Sequence, residues 1–481
     1  MPLDPDVCYR ALRTRDVRFD GRFFVAVRTT GIYCRPICPA RTPKRENVTF
    51  HASAASAQEA GFRPCLRCRP ECAPVFASLG TSRTVSRALA LIGDGALDDA
   101  GDVATLAARL GIGERQLRRL FEQHLGASPI AVAQTRRVLL AKQLLHETRM
   151  PIAEVAFAAG FGSLRRFNDT FQRLYRRPPS ALRRESAHAA KTSAITITLG
   201  YAAPYDWDGI VAFLAPRAIP GVEIVEAGRY RRSIEIGGTA GTIAVEPLRG
   251  RAALAATIDF ADLRALPAII ARLRSLFDLT SDVGAITAQL AEDPRLAPLV
   301  AARPGLRVPG AWDPFEMTVR AVLGQQITVA GARRLAGEIV AVHGEKLTTS
   351  ACDGITHVFP NAERLAAADL SQLGMPRARI AALGGLAAAA ASDPNLFAAD
   401  GDLDAKIARL RALPGIGEWT AHYVAMRALR EPDAFPSADI GLLRAMTAPG
   451  RARPSATWLA AHAERWRPWR AYAAQHLWSI A

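Results

Sequence analysis

The spacing of apolar residues changes character along this chain, and each change marks a segment. Residues 1–78 are rich in Cys and Arg and carry few helical signals. From 82 to 185 apolar positions recur three and four apart, the period of an amphipathic helix. Within that stretch VATLAARLGIGERQLRRLFEQHLG (103–126) predicts a helix, a turn at Gly111 and a second helix. IAEVAFAAGFGSLRRFNDTFQRLYRRPPSALRR (152–184) repeats the plan with its turn at Gly160, and PIAVAQTRRVLLAKQLL joins the two. AHAAKTSA (187–194) is a short polar linker. Between 195 and 260, ITITLGY, SIEIGGTAGTIAVEP and LAATIDF alternate apolar and polar, which predicts strands of an antiparallel sheet. From Leu263 onward the spacing is helical again, broken at ARPGLRVPG (302–310) and APGRARPS (448–455).

The pattern therefore predicts a multidomain chain, mainly α with α+β parts. Its expected divisions are 1–78, 79–186, the linker, a sheet lobe at 195–295 and helical lobes at 296–481. A length of 481 residues suits about three domains. AALGGLAAAAA (381–391) is too short to span a membrane, and Asp4 and Asp6 precede any apolar run that could serve as a signal peptide. The expectation is a cytoplasmic, nucleoid-associated protein with no membrane partner.

Charge sharpens this picture. The net +16 is uneven: residues 1–190 hold 30 Lys+Arg against 17 Asp+Glu, whereas the rest hold 31 against 28. A positive field concentrated at one end points to a polyanion, nucleic acid before membrane. An Arg-rich composition without function would look the same by charge alone.

Seven cysteines raise a separate question. In a reducing compartment, clustered Cys bind metal or do chemistry more often than they pair. CRPIC supplies Cys34 and Cys38, and CLRC supplies Cys65 and Cys68 after a loop-sized gap. Two close pairs suit a tetrahedral zinc site with four cysteine ligands, and most such sites are structural. The surrounding RFFVAVRTTGIYCRPICPART, REN and GFRPCLRCRP, over about residues 8–72, resemble the amino-terminal domain of the Ada family of the adaptive response to alkylation. The resemblance implies a small α/β zinc domain in which Cys34 accepts a methyl group from a DNA methylphosphotriester. Cys38, Cys65 and Cys68 then complete the coordination of one Zn²⁺, and Cys8 and Cys72 are ordinary thiols. A thiolate is the reactive form of Cys, and zinc keeps it deprotonated at neutral pH. Four thiolates on one Zn²⁺ carry a formal −2, and methylation leaves −1, which favours binding to a phosphate backbone. A zinc-stabilised scaffold without methyl transfer is the competing reading.

In each two-helix unit the second helix sets apolar residues on one face: Leu117, Leu120 and Phe121, then Leu164, Phe167 and Phe171. Arg115, Gln116, Arg119, Arg165 and Arg166 are left outward, as a recognition helix requires. A plain bundle with a solvated basic face would also show this for one unit. Two units joined by a helix resemble the AraC-type double helix-turn-helix domain. That implies sequence-specific binding at a promoter, with RNA polymerase as a further partner.

LRALPGIGEWTAHYVAMRAL (410–429) reads as a helix-hairpin-helix, where Gly415 and Gly417 let backbone N–H groups approach a phosphate. A Pro-Gly turn in an ordinary packed hairpin is the plainer alternative. PYDWDGIVAFLAPRAIPGVE, ARPGLRVPGAWDPFEMTVRAVLGQQIT, that hairpin, FPSADIGLL and AERWRPWRAYAAQHLW fall in order from Ile195 onward. Together they resemble the AlkA family, DNA-3-methyladenine glycosylase II. The resemblance implies Asp439 as the catalytic carboxylate and Phe213, Trp419, Tyr423 and Trp478 as the base pocket. It also implies a monovalent cation at the hairpin and no organic cofactor. Taken singly, the tryptophans would be read as core.

Three positions depart from the family. Gln326 stands where an apolar wedge is expected, Ile440 where a pocket aromatic is, and Ala438 replaces an acid beside Asp439. Trp419 occupies the place of the lysine used by strand-cutting relatives, which predicts a monofunctional glycosylase. Cys352 lies in SACDGIT, outside the Pro-Cys-His-Arg context of direct guanine repair. The favoured expectation is a methyl-accepting sensor and regulator fused to a glycosylase. The rival is a regulator with a degenerate glycosylase-like clamp.

Overall fold

The structure is a computed structural model. It describes all residues except 1–3, 75–82, 94, 99–100, 184–193, 348–353, 399–401, 449 and 481, so most of the 187–194 linker and Cys352 lie outside the described residues. The chain forms two compact units. One comprises 1–203, 247–271 and 279–282, and the other comprises 204–246, 272–278 and 283–481.

In the first unit a small four-stranded sheet runs in the order Val48–His51, Phe24–Val27, Ile32–Cys34, Arg63–Pro64. The first two pairings are antiparallel, and Ile32–Cys34 meets Arg63–Pro64 in parallel. Phe23, Val25 and Val48 pack with Cys8 on one face, while Phe24, Ala26 and Tyr33 pack with Ala57 on the other. Cys8 is thus core, and burial raises its thiol to about 11.

The helices follow. Val103–Arg109 and Glu114–Leu125 are joined through Gly111 at φ +69°, and Ile152–Ala158 and Leu164–Tyr175 through Gly160 at φ +86°. Pro129–Glu147 links the pairs, opened by the Ser128 side chain and by Pro at its first position. Leu117, Phe121, Phe167 and Phe171 are fully buried, Leu120 is half-buried, but Leu164 is 38% exposed. Leu164 follows the Ser163 cap, where the chain has not yet turned its stripe inward.

The linking helix also fixes the pieces on either side. Lys142, with no exposure, pairs with the buried Glu71, and Arg69 bonds Glu147 at 2.5 Å. Gln143 donates to the Thr198 carbonyl at 2.7 Å, and Glu147 accepts from Thr198 N at 3.1 Å. These bonds explain why the strand Ile195–Gly200, antiparallel to Ala253–Phe260, belongs with the amino-terminal unit.

The second unit holds an antiparallel meander, Glu223–Glu226, Arg229–Ile236 and Thr239–Pro247. Its first strand was not expected from the sequence. Apart from a short antiparallel pair, Glu345–Lys346 with His357–Val358, the rest is helical around one large core that includes Val319, Val322, Leu383, Leu386, Val424 and Trp466. A buried ionic knot anchors the helix Pro314–Leu323: Arg232 bonds Glu316 at 2.6 Å, Arg320 bonds Glu223 and Glu316, and Tyr230 donates to Glu223 at 2.6 Å.

Burial opposes the Glu223 charge, but Arg320 and Arg232 outweigh it and hold its pKa at about 2, below the ordinary 4.5. A depressed carboxyl contributes stability that is present above its unfolded pKa and lost as pH falls through the folded one. Glu223→Gln should therefore melt well below the parent at neutral pH, because two buried guanidiniums lose charge compensation. That gap should narrow between pH 4.5 and 2, as thermal melts across this range would record.

Candidate functional sites: a four-thiol cluster and an aromatic cleft around Asp439

The parallel pairing of Ile32–Cys34 with Arg63–Pro64 brings the two cysteine pairs together. Cys65 N donates to the Tyr33 carbonyl at 3.0 Å, so Cys34 and Cys65 leave adjacent strand ends. The ligand atoms of Cys34, Cys38, Cys65 and Cys68 all lie within 4.8 Å of one another. Arg35 N donates to the Cys68 sulfur and Arg67 N to the Cys65 sulfur, both at 3.3 Å. Arg35 also bonds the Cys68 carbonyl at 3.2 Å and the Asp20 carboxylate, which fixes the loop between the first pair. A soft, all-sulfur set of four at this spacing, steadied by backbone donors, fits tetrahedral zinc.

The four cysteines are not equivalent. Cys38, Cys65 and Cys68 are 6–7% exposed, whereas Cys34 is half-buried and is the most accessible of the set. The chain beyond Cys38 carries exposed Arg41, Lys44 and Arg45, and Arg67 is exposed between the second pair. An anionic backbone would meet cations on its way to Cys34.

On the helix pairs, Arg115, Gln116, Arg119, Arg165 and Arg166 are all exposed. Glu114 and Asp169 partly offset this face through Arg118 at 2.6 Å and Arg165 at 3.9 Å.

In the second unit Leu403–Arg411 and Glu418–Arg427 flank the LPGIG hairpin. Gly415 sits at φ +79°, and a Cβ there would lie 2.4 Å from the Ala382 Cβ. Gly417 caps the second helix with open space around its Cα. Gln325 braces the hairpin by donating to the Gly415 carbonyl at 2.9 Å and to Thr420 Oγ1 at 3.0 Å. Arg379 in turn holds the Gln325 carbonyl at 2.5 Å. Gln326 follows in the left-handed region at φ +58°, exposed together with Ile327.

Gly415→Ala should strain this hairpin twice, by its φ and by the Ala382 contact, at a cost of about 1–3 kcal/mol. The expected outcome is a lower melting temperature and weaker affinity for any duplex, damaged or not, read by calorimetry and fluorescence anisotropy.

Asp439 is the cap of the helix Ile440–Ala445, accepting from Leu442 N at 3.0 Å. Its two oxygens also receive the indole N–H groups of Trp419 and Trp478, each at 2.9 Å. Trp419 stacks on Tyr423 with ring centroids 5.2 Å apart and planes 6° from parallel. Trp478 meets Tyr423 edge-on at 6.0 Å. Gly441 keeps this corner open, since a Cβ there would lie 3.0 Å from Asp439 and 3.2 Å from Trp478. All four side chains are partly exposed, so a carboxylate and three rings form one accessible cluster.

Phe213 joins through charge. The guanidiniums of Arg217 and Arg427 lie 3.8 and 4.7 Å from its centroid. Ile440 is 53% exposed and Ala438 is exposed. Sequence reasoning missed Gln325 and Arg427. The QQ pair and an Arg four residues after Tyr423, on the same helical face, were the available signals.

These features define a class: a four-cysteine zinc domain, a double helix-turn-helix domain and a helix-hairpin-helix DNA glycosylase in one chain. Residues 7–71 match the metal binding domain of Ada, 106–185 a helix-turn-helix domain and 196–313 the AlkA N-terminal domain. A Mycobacterium tuberculosis protein (strain H37Rv) named "Probable bifunctional transcriptional activator/DNA repair enzyme AlkA" is 41% identical over 99% of this chain and 96% of its own. The chain belongs to this family of bifunctional transcriptional activator/DNA repair AlkA proteins.

The Escherichia coli (strain K12) DNA-3-methyladenine glycosylase 2 is 38% identical over 58% of this chain and 96% of its own. The Ada protein of the same organism is 38% identical over 30% of this chain and 39% of its own. Among solved structures, the 3-methyladenine DNA glycosylase of Archaeoglobus fulgidus shares the fold, with a TM-score of 0.52 and 22% identity over 58% of this chain and 96% of that one. No helix among the described residues is long and apolar enough to cross a membrane.

Proposed function

We propose that this protein repairs alkylated DNA by two chemistries and reports the damage to transcription. It is a DNA-3-methyladenine-type glycosylase fused to an Ada-type methylphosphotriester acceptor and an activator domain. The observation that carries the enzymatic reading is the Asp439 carboxylate, oriented by two indoles and a helix N-terminus at the edge of an aromatic cleft.

A purine alkylated at a ring nitrogen is cationic and a good leaving group. What the protein must supply is extrusion of the nucleotide and rings to hold the base, each well-placed ring contributing about 0.5–2 kcal/mol of cation–π attraction. Trp419, Tyr423 and Trp478 supply these faces. The C1′–N bond breaks with its electron pair going to the base. Asp439 stabilises the positive charge left at C1′, and water adds there with loss of a proton. Trp419 offers no amine for Schiff-base chemistry, so the product is an intact abasic site.

At the other site, zinc held by Cys34, Cys38, Cys65 and Cys68 would keep the sulfurs deprotonated. The Cys34 sulfur attacks the methyl carbon of the triester. A C–S bond forms and the C–O pair stays on the phosphate, giving a thioether and an ordinary phosphodiester. The greater exposure of Cys34 supports its choice over its three buried partners.

By the same reading the domains divide at 1–78, 79–186, 195–295 and 296–481; the matches at 7–71 and 106–185 fall inside the first two, whereas the match at 196–313 runs past 295. Arg115, Gln116, Arg119, Arg165 and Arg166 face a promoter where RNA polymerase is recruited, in the cytoplasm at the nucleoid. Gly415, Gly417 and Gln326 grip the damaged duplex, with a monovalent cation at the hairpin carbonyls. The test is incubation with methyl-labelled DNA, followed by mass analysis of protein and released bases. Label on Cys34 together with free methylpurine is expected. Intact DNA with unlabelled protein would refute both halves.

A further inference from the structure

Arg427 is 3% exposed, yet its guanidinium bonds no carboxylate among the described residues. Nε donates to the Pro309 carbonyl, Nη2 to the Gly310 carbonyl at 3.2 Å, and Nη1 to Tyr423 Oη at 2.7 Å. Burial lowers its pKa, and the nearby Arg217, Arg320 and Arg430 push the same way against the Tyr423 phenol. Of these, Arg320 and Arg430 have their own acids, Glu223, Glu316 and Asp278. A guanidinium does not shed its proton in a protein, so the charge persists. An unpaired buried charge weakens the fold. Its hydrogen bonds hold the Pro309 and Gly310 carbonyls, which a neutral donor could also do; the positive charge itself has no carboxylate among the described residues to answer it.

Its position is specific. The Arg427 guanidinium lies 5.5 Å from the Tyr423 centroid, and Tyr423 stacks on Trp419 and meets Trp478 edge-on. Both indoles bond Asp439. One aromatic group thus has a fixed cation at one end and a fixed anion at the other.

We propose that Arg427 is a positioning residue for bond cleavage, fixing Tyr423 and setting a field from Arg427 to Asp439 that drives charge out of the base. This rests on the reading that the damaged base sits among Trp419, Tyr423 and Trp478. As the C1′–N bond breaks, its electron pair moves to the base, whose charge falls by one, from +1 to 0 for an alkylpurine. The sugar gains that positive charge beside Asp439. A cation behind the base disfavours the bound cationic substrate, and that penalty fades as the bond breaks, so the barrier drops while binding is not improved. The field therefore acts on kcat.

The test uses the full chain and duplex carrying 7-methylguanine, under single-turnover and steady-state conditions, with Arg427→Met, Arg427→Gln and Arg427→Lys. The two neutral variants should lose on the order of tenfold in kcat, with KM unchanged or lower. Arg427→Lys, whose ammonium is driven towards neutral by the same burial and neighbouring arginines, should lose kcat as the neutral variants do and regain it relative to the parent as pH falls. Thermal melts select whichever neutral variant folds as the parent does. If neither does, the lysine variant decides alone: a kcat that does not recover relative to the parent as pH falls, with its melt unchanged, overturns the proposal. Unchanged kcat in a folded neutral variant, or a loss confined to KM, overturns it too. Trp419→Ala and Asp439→Asn, measured in parallel, test the pocket itself. If they excise normally the pocket reading fails, whereas normal excision by the Arg427 variants alone removes only this inference.

Discussion

Asp439→Asn should end purine release while leaving the fold and duplex binding in place. Asn is isosteric with Asp and caps a helix about as well, so Leu442 N keeps its acceptor and Ile440–Ala445 its start. The two indoles are treated differently. Each now donates to its own carboxylate oxygen, and an amide has only one oxygen to offer. One of Trp419 and Trp478 would face an NH2 group, and the negative charge that C1′ requires would be gone. Loss of a single preorganised electrostatic contact costs about 10²–10³-fold in rate, and removal of a full charge beside the reacting carbon belongs at or beyond the upper end. Single-turnover release of labelled methylpurine would measure the loss, with a thermal melt and anisotropy on damaged duplex as controls. Release at the parental rate by a folded variant would leave only the regulator, with the cleft reduced to a clamp.

The parts of this protein legible in its sequence are those whose residues lie close together along the chain. CRPIC and CLRC are local chelate loops, and only the path between them had to be found. The parallel pairing of two short strands supplies it. The helix-turn-helix units and LPGIG carry their turns as glycines at positive φ, a local backbone demand. The misses are all long-range. Leu164 fits the apolar stripe by spacing and is exposed because the cap precedes it. The strand Glu223–Glu226 was hidden because its charged ends, one of them buried in the ionic knot, broke the alternation. Arg427 lay on an apolar helical face, where an arginine reads as a solvated exception rather than a buried cation against two rings. Phe213 was expected as a pocket wall, and no spacing could reveal the two guanidiniums that flank it. Tertiary charge placement leaves no periodic trace.

Cys34→Ala should remove methyl acceptance entirely and leave base release untouched, because the thiol cluster and Asp439 belong to different compact units. The loss is all-or-none since transfer is stoichiometric: without the Cys34 sulfur no C–S bond can form there, and the other three cysteines are 6–7% exposed. Three thiolates still hold zinc, more weakly than four, so the small domain should persist with reduced metal affinity. A metal-loss control by chelator titration separates this from collapse. In the parent, methylation of Cys34 cancels one negative charge beside exposed Arg41, Lys44, Arg45 and Arg67. Operator affinity should rise on the order of tenfold at low salt, and the gain should shrink as the Debye length contracts from about 30 Å at 0.01 M to about 8 Å at 0.15 M. Affinity measured before and after methylation across that salt series carries the decision. Two superimposed curves would mean that the charge on the cluster never reaches the DNA, and that any switch works through shape instead.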